Sequence, residues 1–398
     1  MVAGASPAPR ARLLVLGAGA AQLGLLEAAR GRGDLEVIAV DRDPGAIGFS
    51  FADRRAVVST EDEAAVERLA RSEQVAGIIS PGADWPVGVA ARIAERMGLP
   101  HPIDGQTASL ATTKSRQRER FAAAGVEQPR VFGSGERPSF PCVVKAPDRQ
   151  GQRGLTLVRD LAELDAAVTA AVAESRSGSY LAEELVDGPE VTVNAFSVDG
   201  EFVPLTVTDR LTAAPPAFGV ALAHVWPSAH SADSAAEAAR RAAEALGVRN
   251  GPTYTQVRLG PDGPRVIELA ARLGGGHDAE LVQAVTGVDL NGLAIAVALG
   301  DKPSRVTVPG QSPLVAGAVV AFLVPPEGVL RVVHNVDAAA ALGGVRWVRV
   351  YRQPGWRFGP LRRGADRAGA VLAVGDDREQ ALARARRAAE SVRFATVP

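Results

Sequence analysis

Short apolar runs and helical stripes alternate from residue 12 onward. Residues 12–16 are apolar and end at Gly17-Ala18-Gly19; Leu23, Leu25, Leu26 and Ala29 then fall on one side of a helix. A second apolar run, 36–40, ends at Asp41. The alternation continues with a helix near 61–72, a strand at 75–79 and a helix at 87–97 followed by Gly98-Leu99-Pro100. Strands and helices in this order predict a parallel, Rossmann-like sheet with helices on both faces.

The pattern changes after a boundary near 101–105. Residues 107–124 read as one linking helix closed by Gly125. A Pro-, Gly- and Ser-rich connector over 129–139 leads to a strand at 142–145, a polar glycine loop at 148–154 and a strand at 155–158. A helix at 161–174 and strands at 181–185 and 190–198 follow. Farther on lie an Ala-rich helix at 232–246, strands at 253–259 and 265–269 joined by Pro261-Asp262-Gly263, a strand-rich stretch from 314 and a final helix at 378–392. The chain therefore divides into a disordered tail (1–11), an N-terminal domain (12–105), a linking helix (106–129), a small α+β lid (130–190) and a larger α+β domain with a strand-rich extension (191–398). The fold class is α/β and α+β.

Composition narrows the function. A chain of 398 residues exceeds one ordinary core, since domains run to ~100–200 residues. The apolar and charged shares, 46% and 22%, are those of a globular protein. A formal net charge of −1 supplies no global field for nucleic acid or an anionic membrane, so a small molecule held in a local pocket is expected. The one cysteine, Cys142, excludes a disulfide framework within the chain and a cysteine-rich zinc site. The longest apolar run, 314–324, falls short of the ~20 residues that span a bilayer. The N-terminus has no apolar h-region, and a cytoplasmic enzyme is the expectation.

Three segments carry candidate chemistry. Gly17-x-Gly19 after a strand is the start of a dinucleotide turn, with Asp41 placed for a ribose hydroxyl, although Gln22 stands where the third glycine belongs. The same glycines serve equally for tight strand-to-helix packing. The second segment begins with Lys114 on the linking helix and Lys145 at the end of an apolar strand, where a buried ammonium needs an anion. Gly151 and Gly154, with Arg149 and Arg153, form a loop able to close over phosphates or simply to join two strands. Glu183 and Glu184, ahead of Gly188-Pro189-Glu190, sit at an edge between two modules, suited to ribose hydroxyls and an adenine ring.

The third segment, 266–277, is the most informative. If the strand continues that far, alternation puts Glu268, Ala270 and Arg272 on one face, with Gln256 of the antiparallel partner strand close to Glu268. Glu268 offers oxygens suited to Mg²⁺, Arg272 a planar fork for phosphate or carboxylate, and Gly274-Gly275-Gly276 close approach to a ligand. A surface Glu–Arg pair is the plainer alternative. His224 and His277 are the histidines placed near this segment.

Taken in order, these motifs resemble the ATP-grasp superfamily over about residues 12–392, and within it the carboxylate–amine ligases that include bacterial L-amino-acid ligases. The latter likeness rests on the glycine run, on Thr286-Gly287-Val288-Asp289-Leu290 and on the segment from Phe322 to Gly328. The resemblance implies ATP with Mg²⁺ (or Mn²⁺ in its place). Lys114 and Lys145 would contact phosphates, 148–154 would cover them, backbone at Glu184 and Val186 would read adenine, and Glu190 would hold ribose. Glu268 would bind metal, and Arg272 would steady the transferred phosphoryl group and an acyl phosphate. The family's first metal-binding glutamate falls at Gln256, an asparagine at Ala270, and a loop serine is replaced by Gln152-Arg153. The implied reaction joins a small carboxylate to an amine, amino acids foremost, through an acyl phosphate with release of ADP and phosphate. Specificity is expected in loops around 208–230 and 274–281, and a homodimer is the implied assembly. The alternatives are a bicarbonate- or formate-using purine-pathway type, an NAD-dependent oxidoreductase and a non-catalytic nucleotide-binding module.

Overall fold

A computed structural model describes residues 10–133, 135–303 and 312–398; positions 1–9 of the expected tail lie outside them. Strand Ala11–Leu16 pairs in parallel with Leu35–Asp41 and Gly77–Ile79, and Arg54–Val57 adds the outer edge. Alternation sends Leu13 and Val15 to one face and Leu14 and Leu16 to the other. The second face is covered by helices Glu63–Ser72 and Asp84–Met97. The first is covered by Leu23–Arg30 and by Leu290–Ala298, a helix from the far end of the chain. The N-terminal domain is thus completed by C-terminal residues.

The lid is an antiparallel sheet of Thr156–Val158, Cys142–Lys145 and Leu181–Glu184, backed by helix Leu161–Glu174. Cys142, Val144, Val158, Ala171 and Ala182 fill its core.

The C-terminal part is built on an eight-stranded antiparallel sheet. Its order is Gly263–Ala270, Gly251–Gly260, Glu190–Val198, Glu201–Thr212, Ala221–Trp226, Gly317–Leu323, Gly369–Gly375 and Val345–Val350. Val191, Val193, Val207 and Val257 pack against the Ala-rich helix Ala232–Leu246. The opposite face is polar. Glu268 stands across from Gln256, Gln256 from Thr192, and Thr192 from Thr208. One step along, Arg210 stands across from His224. A separate three-stranded sheet holds Arg357–Phe358, Gly328–His334 and Arg393–Val397, so the 191–398 unit is not one sheet. Among the described residues no single helix is long and apolar enough to cross a membrane.

Several expectations are corrected. The linking helix is two helices, Gly105–Ala111 and Lys114–Ala123, because the Lys114 N–H leaves the helical pattern to bond the Pro147 carbonyl at 2.7 Å. Arg272 is not on the strand, which ends at Ala270. The supposed loops around 208–230 are largely two strands, Glu201–Thr212 and Ala221–Trp226. Their inward positions include Thr206, Thr208, Arg210 and His224, all buried, so the usual apolar alternation is missing. Likewise 274–281 opens into helix Asp278–Thr286.

Candidate active site

The polar sheet face, the two linking helices and the lid enclose one cluster of charges. Lys114, at the start of its helix, places Nζ 3.0 Å from Glu268 Oε2 and donates to the Arg149 carbonyl at 2.7 Å. Gln256 Nε2 donates to the other Glu268 oxygen at 2.8 Å. Burial by itself would lower the Lys114 pKa, but the charges of Glu268, Asp84 and Glu183 outweigh it and raise it. Burial would raise Glu268; Lys114 and the nearby Lys145 and Arg272 hold it well below the usual carboxylate range instead.

Lys145 ends the central lid strand and meets Glu183 on the neighbouring strand at 2.6 Å. Arg118 grips the same carboxylate at 2.8 Å and also donates to the Ile267 carbonyl at 2.6 Å. This fork ties the lid to the metal-side strand. Burial pulls Lys145 down to about 8 against the opposing pull of Glu183, and Arg118 and Lys114 add to the lowering. Glu183, between two cations, is held at about 2 although burial opposes this. Glu183 is therefore committed to protein partners rather than exposed at the hinge.

Arg272 completes the cluster. Its Nε and Nη2 both lie 2.6 Å from Asp84 Oδ1, at the start of helix Asp84–Met97, and Nη1 donates to the Leu273 carbonyl at 2.7 Å. The Asp84 N–H in turn donates to Gln150 of the glycine loop. Lys114, Arg118, Lys145 and Arg272 thus face Glu268, Glu183 and Asp84, one positive charge more than negative. Such a surplus among largely buried groups suits an anion.

The glycine loop is packed against this cluster. Gly154 has φ +63°, and a Cβ there would come within 3.1 Å of Ala146 and Glu174 side chains. Gly151 (φ +68°) faces open space. The lid also touches the N-terminal domain, where Arg176 pairs with Glu61 at 2.6 Å and stacks over Trp85 with Cζ 4.1 Å from the ring centre.

At the hinge, the Glu184 N–H donates to the Arg130 carbonyl at 3.0 Å. The Val186 carbonyl accepts from Arg258 at 3.0 Å. Glu190 is nearly buried, 2.8 Å from Arg210 and 3.5 Å from Arg258. These groups lie together at the junction of lid and large sheet, already partnered within the protein.

Beyond Arg272 the glycine run passes over the polar sheet face. Gly275 lies beside Ala21 and Gly82 of the N-terminal domain, and a Cβ at Gly276 would be 2.6 Å from His224 Nε2. His224 is 1% exposed, its Nδ1 3.6 Å from Asp278 Oδ1, and burial lowers its pKa to about 4, so the ring is neutral. Neither of these two facing atoms has a hydrogen-bond partner. His277 differs from the expectation of a substrate contact. Its Nδ1 lies 3.0 Å from both Glu280 and Arg349, and Nε2 meets the Tyr351 hydroxyl.

Among the described residues no three His, Cys, Asp or Glu side chains gather as a complete metal site. Glu268 has the chemistry of a hard-cation ligand; its two oxygens here meet Lys114 and the Gln256 amide nitrogen, so Lys114 would have to leave and the Gln256 amide turn its oxygen inward for the pair to share one cation with phosphate and water oxygens. Asp41 is engaged at its own turn, accepting from the Ala18 N–H at 2.9 Å and the Asp43 N–H at 3.0 Å. Asp84, Arg118 and Arg210 are the site groups that sequence reasoning missed. Arg118 had a readable signal, four residues after Lys114 and so on the same helix face.

Residues 138–280 match the family model of the ATP-grasp domain. These residues form an ATP-grasp domain. Residues 321–397 match the model of L-amino acid ligase C-terminal domain 2. The ATP-grasp fold extends over nearly the whole chain. The crystal structure of L-amino acid ligase from Bacillus licheniformis superposes with a TM-score of 0.83 at 22% identity, covering 98% of this chain and 100% of that one. The uncharacterized protein y4rH of Sinorhizobium fredii is 29% identical over 92% of this chain and 78% of its own length. Formate-dependent phosphoribosylglycinamide formyltransferase of Rhodococcus jostii is 27% identical over 96% of this chain and 94% of its own length. Ligases are among the relatives of this chain by sequence as well as by structure.

Proposed function

We propose that this ATP-grasp protein is a carboxylate–amine ligase that forms an amide through an acyl phosphate and releases ADP and phosphate, with amino acids as substrates. The observation that carries the reading is the placement of Arg272 and Glu268 opposite Lys114 and Lys145, under the glycine loop. The match of residues 321–397 to an L-amino acid ligase domain supports an amino acid as the acid.

In this reading Lys114 and Lys145 turn from Glu268 and Glu183 toward the phosphates of ATP. Arg272 exchanges Asp84 for the carboxylate to be activated and then faces the charge that develops on the transferred phosphoryl group. Backbone at Glu184 and Val186 meets adenine, and Glu190 meets ribose. Glu268 and Gln256 would hold Mg²⁺, whose chemistry there is to offset phosphate charge. Gln150 and Gly151–Gly154 keep water from the acyl phosphate while the amine arrives.

A second reading takes formate or bicarbonate as the acid, favoured by the full-length similarity to the formyltransferase. A phosphate-release screen with ATP, Mg²⁺ and amino acids, singly and in pairs, beside formate and bicarbonate, separates the two. Release that requires two amino acids, with a dipeptide and ADP as products, is expected. AMP as product, or release with formate alone, overturns the reading.

A further inference from the structure

We propose that Arg367 anchors a second anionic group on the substrate, a carboxylate or a phosphate ester remote from the carboxylate that is activated. This rests on the ligase reading, which puts the activated carboxylate at Arg272. Arg118, Arg210 and Arg272 each have a carboxylate within 2.8 Å. Arg367 lies against Phe322 and strand Ala221–Trp226 of the same large sheet, yet among the described residues no carboxylate lies within ion-pair distance of it. Its Nε donates to the Gly364 carbonyl at 2.8 Å and its Nη1 to the Ala221 carbonyl at 3.2 Å. Its Cζ lies 3.6 Å from the centre of the Phe322 ring. Neutral partners of this kind fix the guanidinium in place and leave it without a contacting carboxylate; the charge of Asp278 acts on it from beyond ion-pair distance.

The position follows from the contacts. Gly276 abuts His224, the His224 ring lies 5.7 Å from Phe322, and Phe322 carries Arg367. A ligand lying along the glycine run from Arg272 therefore reaches Arg367 with its other end. Between them the buried, unpartnered Asp278 Oδ1 and His224 Nδ1 offer polar contacts to the middle of such a molecule. The roof has the same sign. Gln152 of the glycine loop lies within 3.8 Å of a Cβ built on Gly364, and burial together with Arg363, Arg149 and Arg42 lowers the pKa of the adjoining Arg153. A substrate with one carboxylate and no other charge leaves these cations unmatched; one with a second anionic group does not.

The test is calorimetric titration of the full chain, with Mg²⁺ and a non-hydrolysable ATP analogue, by L-glutamate, O-phospho-L-serine and L-alanine. At least one of the two ligands with a second anionic group is expected to bind about 10-fold or more tightly than alanine, and which one distinguishes carboxylate from phosphate. Arg367→Gln is expected to weaken that ligand about 10- to 100-fold, the loss of a hydrogen-bonded charge, and to leave alanine and the nucleotide within about 3-fold. Arg367→Lys keeps the charge and is expected to retain part of the preference. Equal weakening of all three ligands, or no preference in the unaltered chain, overturns the proposal. Phosphate release in the same panel reports on the ligase reading separately: if no acid elicits ADP, that reading falls, while a preference for the second anionic group lost in Arg367→Gln still stands.

Discussion

The guanidinium of Arg272 grips Asp84, 188 positions earlier in the chain, with Nε and Nη2 both 2.6 Å from one carboxylate oxygen. The pair joins the C-terminal sheet to the N-terminal domain and holds the fork at the place where a substrate carboxylate would lie. Both side chains are largely buried, at 9% and 15% exposure, so neither charge is easily left alone.

Arg272→Ala is expected to lower turnover about 100-fold or more, the loss of a charge positioned for the transition state. Phosphate release at saturating ATP checks this, with nucleotide affinity measured alongside. Near-normal turnover with an intact nucleotide site would remove Arg272 from the chemistry.

Lys145 makes the reaction sensitive to alkali. Its pKa is lowered from 10.5 to about 8, so the charged form is lost as pH rises through 8. The kcat/KM for ATP, which reports the free enzyme, is expected to fall about tenfold per pH unit above that point. In Lys145→Arg the decline should vanish from this range, because the guanidinium stays charged. The unfolded chain binds the extra proton between 8 and 10.5, so this group's contribution to stability rises with pH there.

Glu183 is held at about 2 against an ordinary 4.5, so its contribution to stability is present above 4.5 and is lost as pH falls toward 2. Glu183→Ala leaves Arg118 and Lys145 buried without a counter-ion and is expected to cost about 3–5 kcal/mol. Urea denaturation at pH 7 measures it. A cost below about 1 kcal/mol would mean that water or a rearranged acid replaces the carboxylate.

Gln256→Glu adds a second carboxylate opposite Glu268. Mn²⁺ affinity in the presence of ADP, followed by electron paramagnetic resonance, is expected to rise about tenfold, because more ligand charge tightens a hard-cation site. Unchanged affinity would place the cation away from this strand pair.

Much of the fold was legible because local pattern and burial agree. Three of the four parallel strands of the first domain, the Ala-rich helix Ala232–Leu246 and strand Glu190–Val198 follow directly from apolar periodicity; the exposed edge strand Arg54–Val57 does not. The hairpin followed from the tight Gly-Pro-Asp-Gly turn, but the register of that turn alone would set Gln256 across from Ile267; a bulge between Gln256 and Val257 brings it to Glu268. Strand Glu201–Thr212 was hidden because its buried face carries Thr206, Thr208 and Arg210 in place of apolar residues. Helix Leu290–Ala298 was hidden because it is apolar on nearly every side, serving a core shared with the N-terminal sheet.

By itself the sequence determined which groups carry charge at strand ends and turns: Lys114, Lys145, Glu268, Arg272 and the glycines of two loops. Only the tertiary structure decided their partners. It set Glu183 between Lys145 and Arg118, tied Arg272 to Asp84, enclosed His277 among Glu280, Arg349 and Tyr351, and left Arg367 with carbonyls and the Phe322 ring. Local pattern reports which face of an element is buried. An ion pair between residues far apart in the chain depends on how four separate units pack, and no periodicity encodes that distance.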